Sequence, residues 1–379
     1  MTADGPRSPD TPAATERHPH NFGASPPLSL GVEEELLLVD ERNQLAACSE
    51  EVLEAIKGPL SKRVSSEIFA DQIELKTGIC HGPDQALSEL RQTRRAIGEA
   101  GFHLMGSGLH PTDAAEKPRL VSKPRYDVVR KDFGSLLKTP PCGLHVHVGI
   151  PDPETAVQLA NAFRLYLPVL QSLSANSPFR GGTDSGHDSA RSSEVRSYPR
   201  FDMPRRFRDY EDFCRVADQL IGAAGVDDYT YIWWDVRPHP QLGTVEVRAL
   251  DVPTGVATSS ALAAMIQAIA AKELDRPTAS APVREALEES YFQAASHGLD
   301  AEVLLVEETP LPAREASRRV IDSIRPYARE LGSEGALEEI ERIVREGNGA
   351  DDQRRIAASD GMEGLLTHLA RCSAEPNPG

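Results

Sequence analysis

Cysteine is scarce in this chain and poorly placed for bonding: Cys48, Cys80, Cys142, Cys214 and Cys372 are odd in number, widely separated and form no C-x-x-C pair. Such a set excludes a disulfide framework and a zinc ribbon, and points to reduced thiols in a cytoplasmic chain. Long apolar runs are missing too, with no stretch near the roughly 20 residues that span a bilayer, so no membrane partner is expected. Residues 1–27 lack the apolar segment of a secretory signal and are broken by Pro6, Pro9, Pro12, Pro19, Pro26 and Pro27. They read as a disordered leader. Positive charge is in deficit, with 41 Lys and Arg against 58 Asp and Glu, a net charge of -17. No basic run carries interleaved aromatics, so nucleic acid is excluded as a partner.

What is present is a globular composition, 40% hydrophobic and 26% charged over 379 residues. That length accommodates one large domain or two ordinary ones. Alternating Leu28, Leu30, Val32, Leu36 and Leu38 predict a strand ending at Asp40. A second extended run is expected over 64–80, a helix from Pro83 toward Gly106, a strand over 143–150 and one amphipathic helix over 153–173. Residues 181–198, rich in Gly, Ser, Arg and Asp, read as a long loop. Strands over 229–236 and 243–252 should be joined by Arg237-Pro238-His239-Pro240-Gln241-Leu242 as a hairpin connection. From Val256 onward the pattern is nearly all helical. Early strands, late helices and no β-α-β alternation predict an α+β fold on an antiparallel sheet covered by helices. With no linker composition inside 28–372, that span reads as a single catalytic domain, followed by a tail at 373–379.

The strand period assigns charged residues to faces. Glu33 and Glu35 share one face while Glu34 joins Val32 and Leu36 on the other. His145 and His147 share a face, as do Thr244, Glu246 and Arg248, each opposite an apolar face. For Glu67 and Glu74 the odd spacing leaves the parity open. A solvated sheet face would account for any one of these strands, but three together supply oxygen ligands, imidazoles and a fixed cation. Carboxylates this close repel unless cations neutralise them. Glu33, Glu35, Glu67, Glu74 and Glu246 carry five negative charges, which at least two divalent ions would nearly balance. A mostly carboxylate ligand set suits Mg²⁺ or Mn²⁺.

Longer motifs carry a resemblance. Leu30-Gly31-Val32-Glu33-Glu34-Glu35, Gly143-Leu144-His145-Val146-His147-Val148-Gly149, Ser174-Ala175-Asn176-Ser177-Pro178-Phe179 and Trp233-Trp234-Asp235-Val236-Arg237-Pro238-His239-Pro240 resemble the motifs of the bacterial glutamate-cysteine ligase type 2 family, the YbdK-type carboxylate-amine ligases. Gly243 to Asp251 and Gly347 to Arg354 fit as well, and the match covers about residues 28 to 372. The resemblance implies a glutamine-synthetase-like sheet and ATP-dependent joining of a carboxylate such as glutamate to an amine such as cysteine, in a possible homo-oligomer. By motif, Glu33, His145 and Glu246 would hold a metal near the ATP phosphates, and Glu35, Glu67 and Glu74 one beside the acyl substrate. Arg248 would steady the transferring phosphoryl group. Arg237 and His147 would contact nucleotide or substrate, and Arg191 substrate; His239 would pack a turn. A Gly-x-x-x-x-Gly-Lys-Ser/Thr loop is absent, which is no obstacle when metals on a sheet cradle the phosphates.

Two departures stand out. Arg180 replaces the Trp usual after Ser-Pro-Phe, and Ser290 to Ser296 replace an Asn-x-Trp-x-Ala-x-Arg pattern. Loss of that Arg opens the alternative of a nucleotide- or metabolite-binding member without catalysis. A cupin-type oxidoreductase with His145, His147 and Glu246 as an iron triad is the rival from another class.

Overall fold

The computed structural model describes residues 18–112, 118–279, 281–306 and 309–374. Its main sheet has seven strands: β1 (Leu30–Val39), β2 (Val64–Ser66), β3 (Gln72–Lys76), β4 (His103–Met105), β5 (Gly143–Gly149), β6 (Val236–His239) and β7 (Thr244–Asp251). All pairings are antiparallel in the order β2-β3-β1-β5-β7-β6, with β4 beside the far half of β1. The helices are α1 (Ser49–Ala55), α2 (Pro83–Glu99), α3 (Pro124–Phe133), α4 (Pro153–Phe163), α5 (Leu167–Ser174), α6 (Ala190–Arg196), α7 (Tyr210–Ala224), α8 (Val256–Asp275), α9 (Arg284–His297), α10 (Ala313–Glu330), α11 (Leu337–Glu346) and α12 (Gly349–Ala374). This is the expected α+β architecture, helical from Val256 on apart from a two-residue ladder at Glu302–Val303 and Leu311–Pro312.

One sheet face is apolar and closed. Val32, Leu36, Leu144, Val146, Val148, Val245 and Val247 are fully buried there, and α8, an Ala-rich helix buried along most of its length, lies against β1 and β5. Glu34 points into this dry side, as its parity requires. It accepts hydrogen bonds from Arg94 Nε on α2 at 2.8 Å and from Ser259 Oγ on α8 at 2.6 Å. A buried carboxylate so bonded fixes two helices to β1, and losing Arg94 would leave an uncompensated charge.

Four expectations are corrected. The run over 64–80 is a hairpin, because the chain turns at 67–71 and pairs Ser65 with Glu74. The helix over 153–173 is two, since Pro168 has no N–H for the i to i−4 ladder and instead starts α5. Residues 181–198 contain α6, started by the Ser189 side chain, which accepts from Ser192 N. Finally, 229–231 is a turn of 3-10 helix, and the strand lies later, at Val236–His239. Pro238 is tolerated there because β6 is an edge strand, paired only with β7.

The leader expectation fails for residues 18–27. Asn21 N donates to Pro240 O and Gly23 N to Ile150 O, both at 2.9 Å, while Phe22 is buried. His18 Nε2 lies 2.7 Å from Asp218 Oδ1. The remainder of the leader, 1–17, lies outside the described residues. At the other end α12 includes Ser373 and Ala374, and residues 375–379 of the tail lie outside the description.

Candidate active site

Opposed residues on antiparallel strands present their side chains on the same face. The register therefore lays a row across the sheet: Glu35 opposite Glu74, Glu33 opposite His145, His147 opposite Glu246, and Glu246 opposite Arg237. This row floors a cavity of about 480 Å³. Every residue the sequence proposed for the site lines it: Glu33, Glu35, Glu67, Glu74, His145, His147, Arg191, Arg237, Glu246 and Arg248.

The ligand-bearing atoms form two groups that share Glu33, one with His147 and Glu246, the other with Glu74 and His145, each within 4.8 Å. The grouping differs from the motif-based one, since His147, not His145, stands with Glu33 and Glu246. Two structural facts explain it. Register puts His147 directly opposite Glu246, and a bulge in β7 spreads Arg248 and Ala249 across from His145. His147 Nδ1 bonds Thr244 Oγ1 at 2.9 Å, but its Nε2 is buried with no hydrogen-bond partner. That nitrogen lies 3.7 Å from Glu33 Oε1 and 4.0 Å from Glu246 Oε1. These separations are too long for hydrogen bonds, yet within the roughly 4 Å that can separate two ligands each about 2.1 Å from one ion. The donor set thus fits a divalent cation.

In the second group His145 Nδ1 lies 3.3 Å from Glu33 Oε2 and its Nε2 3.9 Å from Glu35 Oε1. Glu74 Oε1 accepts from Ser65 Oγ at 2.7 Å. Glu35 Oε2 accepts from Gly143 N at 2.6 Å, so its other oxygen is the one facing His145. Glu67 lies just past β2 in the hairpin turn and makes no hydrogen bond or ion pair among the described residues.

Charge polarises the cavity. Burial raises the Glu67 carboxyl well above the usual carboxylate range, and repulsion from Glu74, Glu35 and Glu33 adds to it. Glu74 is raised by burial and by Glu33. For Glu33, burial pushes upward but His147 and His145 prevail and hold it well below that range. Glu246 likewise resists burial and is held well below, by Arg237, Arg248 and His147. Its carboxylate is gripped on both oxygens, by Arg237 Nε at 2.6 Å and Arg248 Nη1 at 2.5 Å. One end of the cavity is therefore acidic and short of counter-charge, while the other pairs carboxylate with guanidinium. His239 is not in a turn; it is the last residue of β6, 5.5 Å from the His147 ring, and burial drives it down to about 3.

Arg191 reaches the cavity from α6. Its Nη1 donates to Ala249 O at 3.3 Å and lies 3.8 Å from Asp251 Oδ1, while its Nε is buried and unbonded. A side chain at Gly143 would overlap the Arg191 guanidinium. Asp251, missed at the sequence level, is fully buried and also accepts from Asn176 N at 3.0 Å, Ser177 Oγ at 2.6 Å and Ser189 Oγ at 2.8 Å. The bulge in β7 turns it onto the polar face opposite Gly143, so strict period-2 reading from Glu246 conceals the displaced residues. The aromatic wall was missed as well. Phe133 stacks on Tyr198 and Phe201 on Trp233, at 5.4 and 5.3 Å between centroids, with Arg125 4.2 Å over Tyr231. Trp233 lay inside a quoted motif, but nothing in the sequence spacing joins it to Phe133.

The departures sit elsewhere. Ser290 Oγ accepts from Leu304 N at 2.8 Å, and Ser296 Oγ meets His187 Nδ1 at 3.0 Å; neither lines the carboxylate cavity. Arg180 is half exposed and pairs at 2.6 Å with buried Glu194 on α6. His145 falls outside the group of His147 and Glu246, which removes the iron-triad rival.

An antiparallel sheet with helices behind it and a carboxylate-rich open face places the chain in the α+β class, with its candidate site on the sheet's polar face. The chain belongs to glutamate-cysteine ligase family 2 (GCS2), whose model matches residues 29–369. The Rubrobacter xylanophilus protein named "Putative glutamate--cysteine ligase 2-3" is 38% identical over 366 residues, covering 93% of this chain and 99% of its own. "Glutamate--cysteine ligase" of Natronomonas pharaonis is 34% identical over 361 residues, 90% and 95% respectively. In fold, the chain is similar to the Francisella tularensis glutamate-cysteine ligase crystallised with AMP, at a TM-score of 0.70, 14% identity, and coverage of 94% of this chain and 89% of that one. Among the described residues no helix is long and apolar enough to cross a membrane.

Proposed function

We propose that this protein joins glutamate to cysteine through an acyl phosphate, with ATP as the phosphoryl donor and ADP and phosphate as products. The observation that carries the reading is the single cavity in which six carboxylates, three imidazoles and four guanidinium groups meet, while the departures from the family pattern lie outside it. Glu33, His147 and Glu246 would hold one Mg²⁺ or Mn²⁺, and Glu33, Glu74 and His145 a second, with Glu35 and Glu67 beside it. Bound there, such ions supply positive charge to the phosphate oxygens.

The chain's own residues account for the rest. A carboxylate is a poor acyl donor until one oxygen takes the γ-phosphoryl group; the amine nitrogen then attacks the carbonyl carbon, losing a proton, and phosphate leaves. Arg248, anchored by Glu246, presents a fixed cation to the transferring group, where positioning and charge stabilisation are most of catalysis. Arg237 is more deeply engaged, donating also to Ile232 O, so its role is to hold Glu246 and line the nucleotide end. Arg191, which lines the cavity and whose Nε has no hydrogen-bond partner, would meet a substrate carboxylate. None of the five cysteines is in a disulfide, in keeping with a cytoplasmic enzyme.

Purified protein with Mg-ATP, glutamate and cysteine should release ADP and phosphate and form a γ-glutamyl product visible by mass spectrometry. ADP release that ignores every amino-acid pair offered would refute the ligase reading; release with glutamate and a different amine would refute only the choice of cysteine.

A further inference from the structure

Two of the longer sequence motifs, Ser174 to Phe179 and Gly347 to Arg354, contribute no residue to the lining of the carboxylate cavity. They meet each other instead. Gln353 Nε2 donates to Asn176 O at 2.8 Å and to Asn176 Oδ1 at 2.9 Å, and Ala350 N donates to Ala175 O at 3.0 Å. A side chain at Gly349 would strike Asn176. The start of α12 is thus seated on the segment that holds Asp251, since Asn176 N and Ser177 Oγ both donate to that carboxylate.

The same end of α12 grips the chain just ahead of α6. Arg354 donates through Nε and Nη2 to the two oxygens of Asp184, at 2.8 and 3.2 Å, through Nη2 also to His187 O at 2.9 Å, and through Nη1 to Asp188 Oδ1. Asn348 Nδ2 reaches the other Asp188 oxygen at 3.3 Å, while its own Oδ1 accepts from Ala350 N and Asp351 N at 3.0 and 3.1 Å. Asp188 is buried and directly precedes Ser189, the cap of α6. From the other side, Asp188 N donates to Ser296 O at 3.2 Å and Ser189 N to Ala295 O at 2.8 Å. The departure at Ser296 therefore falls beside this junction.

Placement matters because of what α6 carries. Seven residues are too few to hold a helix on their own, and the Arg191 guanidinium has little to fix it beyond 3.3 Å to Ala249 O and 3.8 Å to Asp251, with Nε unbonded. Its direction is set by where α6 starts and where Asp251 stands, and both lead back to the start of α12. We propose that this end of α12 is a latch for α6, with Arg354 and Asn348 as positioning residues that aim Arg191 at the carboxylate of the acyl substrate, a role that rests on Arg191 meeting that carboxylate in the proposed ligase reaction.

Steady-state turnover and amide hydrogen exchange of the full chain test this together. In Arg354→Gln, KM for glutamate should rise about tenfold, with KM for ATP unchanged and kcat changed much less. Amides of residues 190–196 should exchange faster, while those of β1 and β5 should not. Arg354→Lys keeps a charge opposite buried Asp188 and should fold as wild type does, but it lacks the fork that spans Asp184 and His187 O, so its KM should lie between the two. If Arg354→Gln does not fold, the Lys variant carries the same comparisons. In an Arg191→Lys background, which keeps a charge beside Asp251 but loses the guanidinium, Arg354→Gln should have little further effect on KM for glutamate. Equal fold-changes in both backgrounds would overturn the proposal. So would unchanged exchange over 190–196 in the folded variants, or a loss of kcat shared by every substrate. A wild-type protein that turns over no amino-acid pair would refute the ligase reading instead, and the exchange measurement alone would then decide whether α12 holds α6.

Discussion

Glu33 is the residue on which both ligand groups depend, and its side chain retains 21% exposure at the cavity floor. Glu33→Gln keeps size and strand packing while removing the shared charge, so turnover should fall by more than about a thousandfold with little change in melting temperature. Steady-state ADP release and a thermal melt check both parts together. Glu246 is a different case. It is 1% exposed between Arg237 and Arg248, and Glu246→Gln leaves two buried guanidinium groups facing a neutral amide. Turnover should vanish here too, but with a stability loss of about 3 to 5 kcal/mol, measurable by urea denaturation; an unchanged midpoint would show that solvent reaches this pair. Because Glu246 is held well below the ordinary carboxylate range, its stabilisation is complete above the unfolded pKa and is lost as pH falls through the folded one. At this scale the sequence was legible wherever strand period alone decides the outcome: Glu33, Glu35, His145, His147, Glu246 and Arg248 all face the cavity. Which histidine meets which carboxylate was not, because partnership depends on register between strands about a hundred residues apart.

Elements were read less well than faces, for local reasons. Residues 181–198 have loop composition, yet Ser189 caps a seven-residue helix there, and that short helix is what delivers Arg191. Arg237, Pro238 and His239 were mistaken for part of a connection because two prolines flank His239, although an edge strand can accept Pro238 on its unpaired side. The bulge in β7 left no mark in a sequence that continues its apolar and polar alternation through Glu246 and Arg248, so Asp251 was not singled out. Its position carries a prediction. Asp251 takes three hydrogen bonds from the Asn176–Ser189 segment and faces Arg191, so it holds α6 in place against β7. Asp251→Asn preserves shape but cannot accept at both ends, and should let Arg191 wander. The expected signature is a KM for the acyl substrate raised about tenfold with kcat changed much less and KM for ATP unchanged. A uniform loss of kcat for all substrates would place Asp251 in general folding.

Across the whole molecule, the charge excess resolves into two populations. Most carboxylates are exposed or paired with arginine on helices, as Glu315 is with Arg319 and Glu334 with Arg329, and contribute little individually. Glu67 and Glu74 are held in the cavity without adequate counter-charge, and their carboxyls are raised by burial and by neighbouring carboxylates, Glu74, Glu35 and Glu33 for Glu67 and Glu33 for Glu74. A carboxyl raised in the folded state stabilises fully below its unfolded pKa, and that contribution is lost as pH rises through the folded value. Metal-free protein should therefore weaken as pH climbs from the ordinary carboxylate range upward, while a divalent cation, which needs both groups ionised, becomes a better ligand over the same interval. The increase in melting temperature produced by Mg²⁺ should accordingly be larger at pH 8 than at pH 5.5, and binding at the lower pH should release protons, detectable as a buffer-dependent heat in calorimetry. In Glu67→Gln the pH dependence should shrink while some Mg²⁺ stabilisation remains, because Glu33, His147 and Glu246 are untouched. If the Mg²⁺ shift is the same at both pH values, Glu67 and Glu74 do not titrate with metal, and the acidic end of the cavity must instead be neutralised by the amine of an incoming substrate.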